Sequence, residues 1–418
     1  MAGRIQLATT GPQDQFFTLR PEYTHFKENF RKHGNFSTEF VDIEPEQVVD
    51  FGKTIRYSLK KDVGDLLRTV SFRFTLPALN QSDVGYIESV GHALIERVDL
   101  LVDGQIVQRV HSDWLQLYSE HYFTQTKQNA LYHLVGKYPE QVASLPASHK
   151  DVIGYLGEST ADVDFYVDIP FYFYRTPELA LPLCAMDDVE IEVKLRDIAD
   201  LVVDVTDGSL PTLSAQYTIP AYTMQCEMVF LDTVEKENFQ KTPKEYLITQ
   251  NQQNIFVVPK GQHTARFKLD FTNLVKELYF VIQSKGARVF DYDNYRQTTE
   301  EGQLVLYEHL RYLTLTLDGA EVLNEYTGAI PFVKAVQAAI HHAKTQLIRR
   351  FYSYSFALEP EKHEPTGQVN FSVIKDQLLG LNLNKNTLHD REVRVYARSY
   401  NILRVHEGKG KLIFNVQY

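Results

Sequence analysis

The segment Ile95-Glu96-Arg97-Val98-Asp99-Leu100-Leu101-Val102 runs into Asp103-Gly104 and then Gln105-Ile106-Val107. Leu310-Arg311-Tyr312-Leu313-Thr314-Leu315-Thr316-Leu317 runs in the same way into Asp318-Gly319 and then Ala320-Glu321-Val322, 215 positions later in a chain of 418. Asp-Gly between two alternating apolar runs is a strong hairpin signal, because both residues of the tight turn must take positive φ. The same order of events follows each copy. A short helical or irregular stretch leads to an aromatic strand (Phe171 to Tyr174; Tyr352 to Phe356), a proline-bearing loop, another strand and a long closing strand (Tyr222 to Leu231; Val393 to Val405). Two copies of one all-β unit account for this order.

Strand signals dominate the rest of the chain, as alternation or as β-branched and aromatic runs. In the first half they cover Ile55 to Leu59, Val70 to Leu76, Ile95 to Val102, Ile106 to Val110, Val163 to Tyr174, Val189 to Leu195 and Tyr222 to Leu231. In the second they cover Tyr246 to Val258, Ala265 to Phe271, Leu278 to Ile282, Leu304 to Leu317, Tyr352 to Leu358, Gln368 to Val373, Leu378 to Leu383 and Val393 to Val405. Helices are few. One begins near Ser112 and Asp113, with Asp113 and Gln116 in capping-box spacing and Trp114, Leu117 and Tyr118 on one face. Another spans Pro331 to about His342.

A single core stops growing at about 250–300 residues, so this length implies two domains. The polar, charge-balanced stretch from Thr233 to Glu245, interrupted by Pro243, reads as the linker between them. The expected fold is all-β: two tandem eight-stranded antiparallel jelly rolls with short helices in loops. The expected boundaries are an N-terminal arm over 1–30, a first roll over 31–232, a linker over 233–245 and a second roll over 246–418.

A net charge of −11 argues against coating nucleic acid, which needs phosphate-neutralising Lys and Arg. Only the first 33 residues lean basic: Arg4, Arg20, Lys27, Arg31 and Lys32 face Asp14, Glu22 and Glu28. Two cysteines, Cys184 and Cys226, are too few for a disulfide scaffold and read as reduced, buried thiols, which fits a cytoplasmic site of synthesis. No secretory signal is expected at the N-terminus. Phe165 to Met186, the most apolar stretch, is broken by Asp168, Arg175, Glu178 and three prolines, unlike a membrane span. The sequons at Asn35, Asn80 and Asn370 are therefore expected to be silent.

Groups that could carry chemistry have simpler explanations. His341-His342 sit next to each other on a helix, about 100° apart, and so do not share a metal. His363-Glu364 lies in a solvated loop, Glu361 to Pro365, with no second histidine at zincin spacing. His111, Ser112 and Asp113 hold triad residue types, but sequence neighbours cannot adopt triad geometry, and helix capping accounts for them better. Gly408-Lys409-Gly410-Lys411 leads into a terminal strand rather than the helix a phosphate loop requires. Asp187-Asp188 and Asp204 to Asp207 could offer oxygen ligands to calcium but read as solvated loops. Tyr172-Phe173-Tyr174 could stack sugars or bases but reads as a buried strand. No catalytic, cofactor or metal residue is assigned.

The chain also resembles, nearly end to end, the major capsid proteins of nucleocytoplasmic large DNA viruses. The resemblance rests on the opening Met1-Ala2-Gly3 through Gln13-Asp14, on Thr24-His25-Phe26-Lys27 and on Arg31 to Phe36. It continues through Val98-Asp99-Leu100 with Gly104-Gln105, Leu179 to Leu183, Phe230 to Thr233 and Glu245 to Ile248. In the second half it is carried by Tyr354 to Leu358, Pro365-Thr366-Gly367, Asn370-Phe371-Ser372 and Tyr396 to Arg404. Cys184 to Asp188 departs from the usual continuation after Leu183. The resemblance implies a non-enzymatic shell protein that forms homotrimeric, pseudo-hexameric capsomers tiling a large icosahedral virion. It also implies neighbouring capsomers, minor capsid proteins and penton proteins as partners, and an N-terminal arm facing the inside of the capsid near an internal membrane. The competing reading is a tandem jelly-roll carbohydrate-binding or cupin-like protein. Cupins cluster His and Glu ligands in one barrel interior, and no strand here carries two histidines in alternation.

Overall fold

The computed structural model describes residues 2–28, 30–82, 84–136, 161–204, 211–285, 296–298, 304–306, 308–343, 351–385 and 389–416. Of the calcium reading at Asp204 to Asp207, residues 205–207 lie outside this set. The chain divides into two units, residues 1–35 and residues 36–418. In the first, helices Ala2–Ala8 and Pro12–Thr18 bury no residue, and Phe16, Phe17, Tyr23, Phe26 and Phe30 are exposed.

The second unit holds both rolls. Its N-terminal part contains β1 (Phe36–Ile43), β2 (Thr54–Ser58), β3 (Leu66–Leu76), β4 (Val84–Tyr86), β5 (Ile95–Val102), β6 (Gln105–His111), β7 (Val163–Asp168), β8 (Val189–Leu195), β9 (Val202–Asp204) and β10 (Ala221–Leu231). Sheets ordered β1-β10-β3-β7 and β2-β8-β5-β6 face each other, and β4 pairs with β9. The C-terminal part contains β11 (Lys244–Val258), β12 (Thr264–Lys268), β13 (Leu274–Ser284), β14 (Arg296–Thr298), β15 (Leu304–Leu306), β16 (Leu310–Leu317), β17 (Ala320–Leu323), β18 (Phe351–Ser355), β19 (Val369–Asn370), β20 (Gln377–Leu383), β21 (Arg391–His406) and β22 (Lys409–Leu412). Here the main sheets run β11-β21-β13-β18 and β12-β20-β16-β17; β19 and β22 add to the first, and β14 pairs with β15. The first strand lies beside the long closing strand in both halves, β1 on β10 and β11 on β21, as in a jelly roll. The two orders match strand for strand.

The repeated hairpins are the turns expected. Asp103 and Gly104 take φ of 49° and 71°, and Asp318 and Gly319 take 46° and 82°. Most strands alternate as expected: Val189, Ile191, Val193 and Leu195 of β8 are buried, and their neighbours are partly exposed. Strand β13 differs, because nearly every residue from Val275 to Gln283 is buried. Leu278, Phe280 and Ile282 fill the core of the second roll, whereas Tyr279 and Val281 join the hydrophobic cluster of the first. Tyr246, Ile248, Tyr396, Leu403 and Val405 join that cluster too. One sheet of the second roll is therefore packed on both faces, which produces an unbroken apolar run in place of alternation.

Several expected elements end early. The strand from Val163 stops at Asp168, and Phe171 to Tyr174 form a buried turn, closed by Tyr174 N–H donating to the Phe171 carbonyl at 3.0 Å. Pro170 has no N–H to extend the ladder. Gln368 to Val373 is strand only at β19; the Asn370 side chain accepts the Ser372 N–H at 3.0 Å and turns the chain into a 3-10 helix. The expected strand Leu304 to Leu317 divides into β15 and β16, and Tyr352 to Leu358 ends at Ser355. The expected helix from Pro331 starts as a π-helical turn, Pro331–Val336, and becomes α-helical over Gln337–His341. The stretch between the rolls folds as helix Thr233–Lys241, tied to the first roll by Lys236 and Asp65 at 2.6 Å. Helices Val90–Leu94 and Gln125–Val135 and strands β1 and β22 add to the expected elements, and none of them carries a strong periodicity. Glu407-Gly408, with φ of 52° and 80°, was the local signal for the β21–β22 hairpin.

Candidate functional site at the seam between the rolls

The helix Ser112–Tyr122 follows β6 directly, and ten of its eleven residues are buried. It presses Trp114, Tyr118 and Tyr122 towards the outer face of β13 and β21, where the Trp114 and Tyr279 rings meet edge to face at 5.5 Å. At one end of this seam Asp113 receives Arg394 Nη1 at 2.5 Å and the Tyr396 hydroxyl at 2.6 Å. Arg394 Nη2 also donates to Gln283 at 2.8 Å. Asp113 is thus a bridge across the rolls. The helix has no side-chain N-cap, Gln116 pairs with His92 at 2.8 Å, and the Ser112 hydroxyl accepts from Arg196 at 2.8 Å, so the expected capping box is corrected. The tertiary partners are charged or buried, and they outcompete a local cap worth about 1 kcal/mol.

Along the middle of the seam, the polar run Gln250-Asn251-Gln252 of β11 is buried but bonded. Gln250 accepts from Asn401 at 2.8 Å and donates to the Val107 carbonyl of the first roll. Gln252 donates to Ser399 at 3.0 Å and to the Thr272 carbonyl at 2.7 Å.

At the other end Glu277 is fully buried. Its carboxylate accepts from the Tyr122 hydroxyl at 2.6 Å and from Arg398 at 3.1 Å, and His342 Nε2 lies 3.5 Å away. Arg398 also donates to the Tyr122 hydroxyl and lies 5.0 Å above that ring and 5.5 Å from the Trp114 ring. Burial by itself would raise the Glu277 carboxyl. Its neighbours His342, Arg398 and Lys276, with the Tyr122 hydrogen bond, outweigh it and hold the group at about 2. Two carboxylates flank His342, since its Nδ1 lies 3.5 Å from Glu361, which also faces Arg175 at 3.6 Å.

The other sequence candidates fall as follows. His341 turns away from His342 and meets the Leu358 carbonyl at 3.0 Å, so the adjacent histidines do not converge. The loop around His363 is not simply solvated, because Glu361 and His363 line the seam. His111 borders a seam cleft of about 360 Å³. Burial pulls its imidazole down to about 4, opposed by Asp113 and reinforced by Arg109. Gly408 is a turn residue, and Lys409 to Leu412 form β22 itself. Cys184 and Cys226 are free and buried; burial, with Asp65 next, raises the Cys184 thiol to about 11, and burial raises Cys226 further. Such thiols are poor nucleophiles and poor metal ligands. Asp187 pairs with Lys61 at 2.5 Å. Asn35, Asn80 and Asn370 are all exposed. The alternation of histidines had no bearing on the seam, and neither Glu277 nor Arg398 carries a local motif that could have singled it out.

Two rolls of matching strand order, held as one block by a seam this extensively bonded, define a double jelly-roll fold. Residues 24–234 match the model for the major capsid protein N-terminus, and residues 235–411 match that for large eukaryotic DNA virus major capsid proteins. The major capsid protein of Pyramimonas orientalis virus is 30% identical over 99% of both chains. That of Paramecium bursaria Chlorella virus 1 is 25% identical over 99% of this chain and 100% of its own. Among solved structures, the quasi-atomic model of the PBCV-1 virus capsid superposes with a TM-score of 0.74 at 22% identity, covering 94% of this chain and 100% of that one. The Faustovirus major capsid protein superposes at 0.71 and 12% identity, covering 97% and 96%. The chain belongs to the major capsid protein family of large eukaryotic DNA viruses.

Proposed function

We propose that three copies of this chain close into a pseudo-hexameric capsomer, and that such capsomers tile a large icosahedral shell. The observation that carries this reading is the matching sheet order of the two rolls. A trimer then presents six similar lobes, and a threefold object offers nearly sixfold edges to its neighbours. Contacts of this obligate kind commonly bury roughly 2,000–5,000 Å². Exposed Phe36 and Phe40 on the edge strand β1 offer apolar surface for one such contact.

In this reading the arm over 1–30 faces the capsid interior, beside minor capsid proteins and an internal membrane, and orders on contact. The first roll occupies 31–232, the linker 233–245 and the second roll 246–418. Penton proteins complete the shell, synthesis takes place in the host cytoplasm, and the chain catalyses no reaction. Light scattering of the purified protein at micromolar concentration tests the assembly: a mass of three chains is expected, and a stable single-chain mass overturns it.

A further inference from the structure

Between the rolls, beside the Glu277 cluster, lies a second cavity of about 40 Å³, walled by Arg175, Lys276, Arg398, Tyr172, Thr249 and Asn251. Space of that size holds a few water-sized particles. Glu361 lines it as well, but the cations Arg175, Lys276, Lys362 and Arg398 outnumber this carboxylate. Arg398 is matched by Glu277 at 3.1 Å and Arg175 by Glu361 at 3.6 Å. Lys276 is 1% exposed and has no carboxylate within 4 Å among the described residues. Its ammonium donates to the Pro360 carbonyl at 2.7 Å and lies 5.1 Å from the Tyr400 ring. An ammonium has three donors, and the Pro360 carbonyl takes one of them.

We propose that this inter-roll cavity binds one small inorganic anion, held by Lys276 with Arg175 and Arg398 behind it. A buried cation is costly unless it is paired. Burial and Arg398 push the Lys276 ammonium well below its usual value, and Glu277 and Glu361 only partly oppose them. An anion in the cavity supplies the missing counter-charge and satisfies the remaining donors at once. Because residues from both rolls wall the cavity, binding locks the seam. Chloride and phosphate share the required chemistry, and the test separates them.

The test follows the thermal midpoint of the full-length protein at constant ionic strength, replacing sodium gluconate stepwise by chloride or by phosphate. A saturable rise of a few degrees is expected in the natural protein and none in Lys276→Met, which keeps the length of the buried stem. A rise with chloride identifies a halide-sized occupant, and a rise with phosphate alone identifies an oxyanion. Equal response of both proteins, or no saturable response to either anion, overturns the site. Should Lys276→Met not fold, crystals of the natural protein soaked in bromide and, separately, in selenate decide. An anomalous peak within hydrogen-bonding distance of Lys276 Nζ in either soak supports the proposal, and its absence from the cavity in both rejects it.

Discussion

The Asp103 carboxylate accepts the backbone N–H of Gly410 at 2.9 Å, so the first residue of the first roll's hairpin turn holds the last hairpin of the second. Its counterpart Asp318 stays within its own roll and accepts the N–H groups of Lys375 and Asp376, each at 2.9 Å. The same turn residue thus fastens rolls together in one copy and a loop in the other.

Asp103→Ala is expected to cost about 2–3 kcal/mol, combining the positive-φ penalty with loss of a charged hydrogen bond. Asp103→Asn, which tolerates the turn and keeps an acceptor, is expected to cost less than about 1 kcal/mol. Urea denaturation of both variants checks this, and equal losses would contradict the role given to the carboxylate.

Gly319 meets nothing within 4 Å of a built Cβ, yet its φ is +82°. Gly319→Ala is therefore expected to destabilise by about 1 kcal/mol through backbone strain alone, without a steric term. A larger loss in the denaturation midpoint would point to a packing role.

Glu277→Ala leaves Arg398 and His342 facing each other in the seam without their carboxylate. Removing one partner of a buried pair costs about 3–5 kcal/mol. Uncoupling of the rolls is expected as a second unfolding transition in calorimetry. A variant as stable as the natural protein would remove Glu277 from the account of the seam.

Acid should weaken the same seam. His111 is held at about 4 against an ordinary value of 6.5, so its contribution is complete above pH 6.5 and fades as pH falls through 4. Glu277 is held at about 2 against 4.5, so its contribution is complete above pH 4.5 and fades as pH falls through 2. Both act in one direction, and each is worth on the order of 3 kcal/mol. Unfolding free energy measured from pH 7 to pH 2 should fall monotonically, and His111→Asn should flatten the upper part of that curve. A stability maximum near pH 4 would be the opposite result.

The sequence by itself determined the turns and the repeat. Positive φ at Asp103-Gly104 and Asp318-Gly319 depends on only two residues at a time, and strand alternation depends on a handful, so both are legible locally. The end-to-end order of short motifs likewise identified the family. Only the tertiary structure decided what joins the rolls. Tyr396 lies 283 positions from Asp113, and no local pattern announces their contact. Phe171 to Tyr174 look like a strand until Pro170 and burial from several directions turn them aside. Tyr279 and Val281 break the alternation of β13 because the first roll covers the sheet's outer face. Burial on two faces is a property of the packed pair, and a strand's own residues show only that something must cover them.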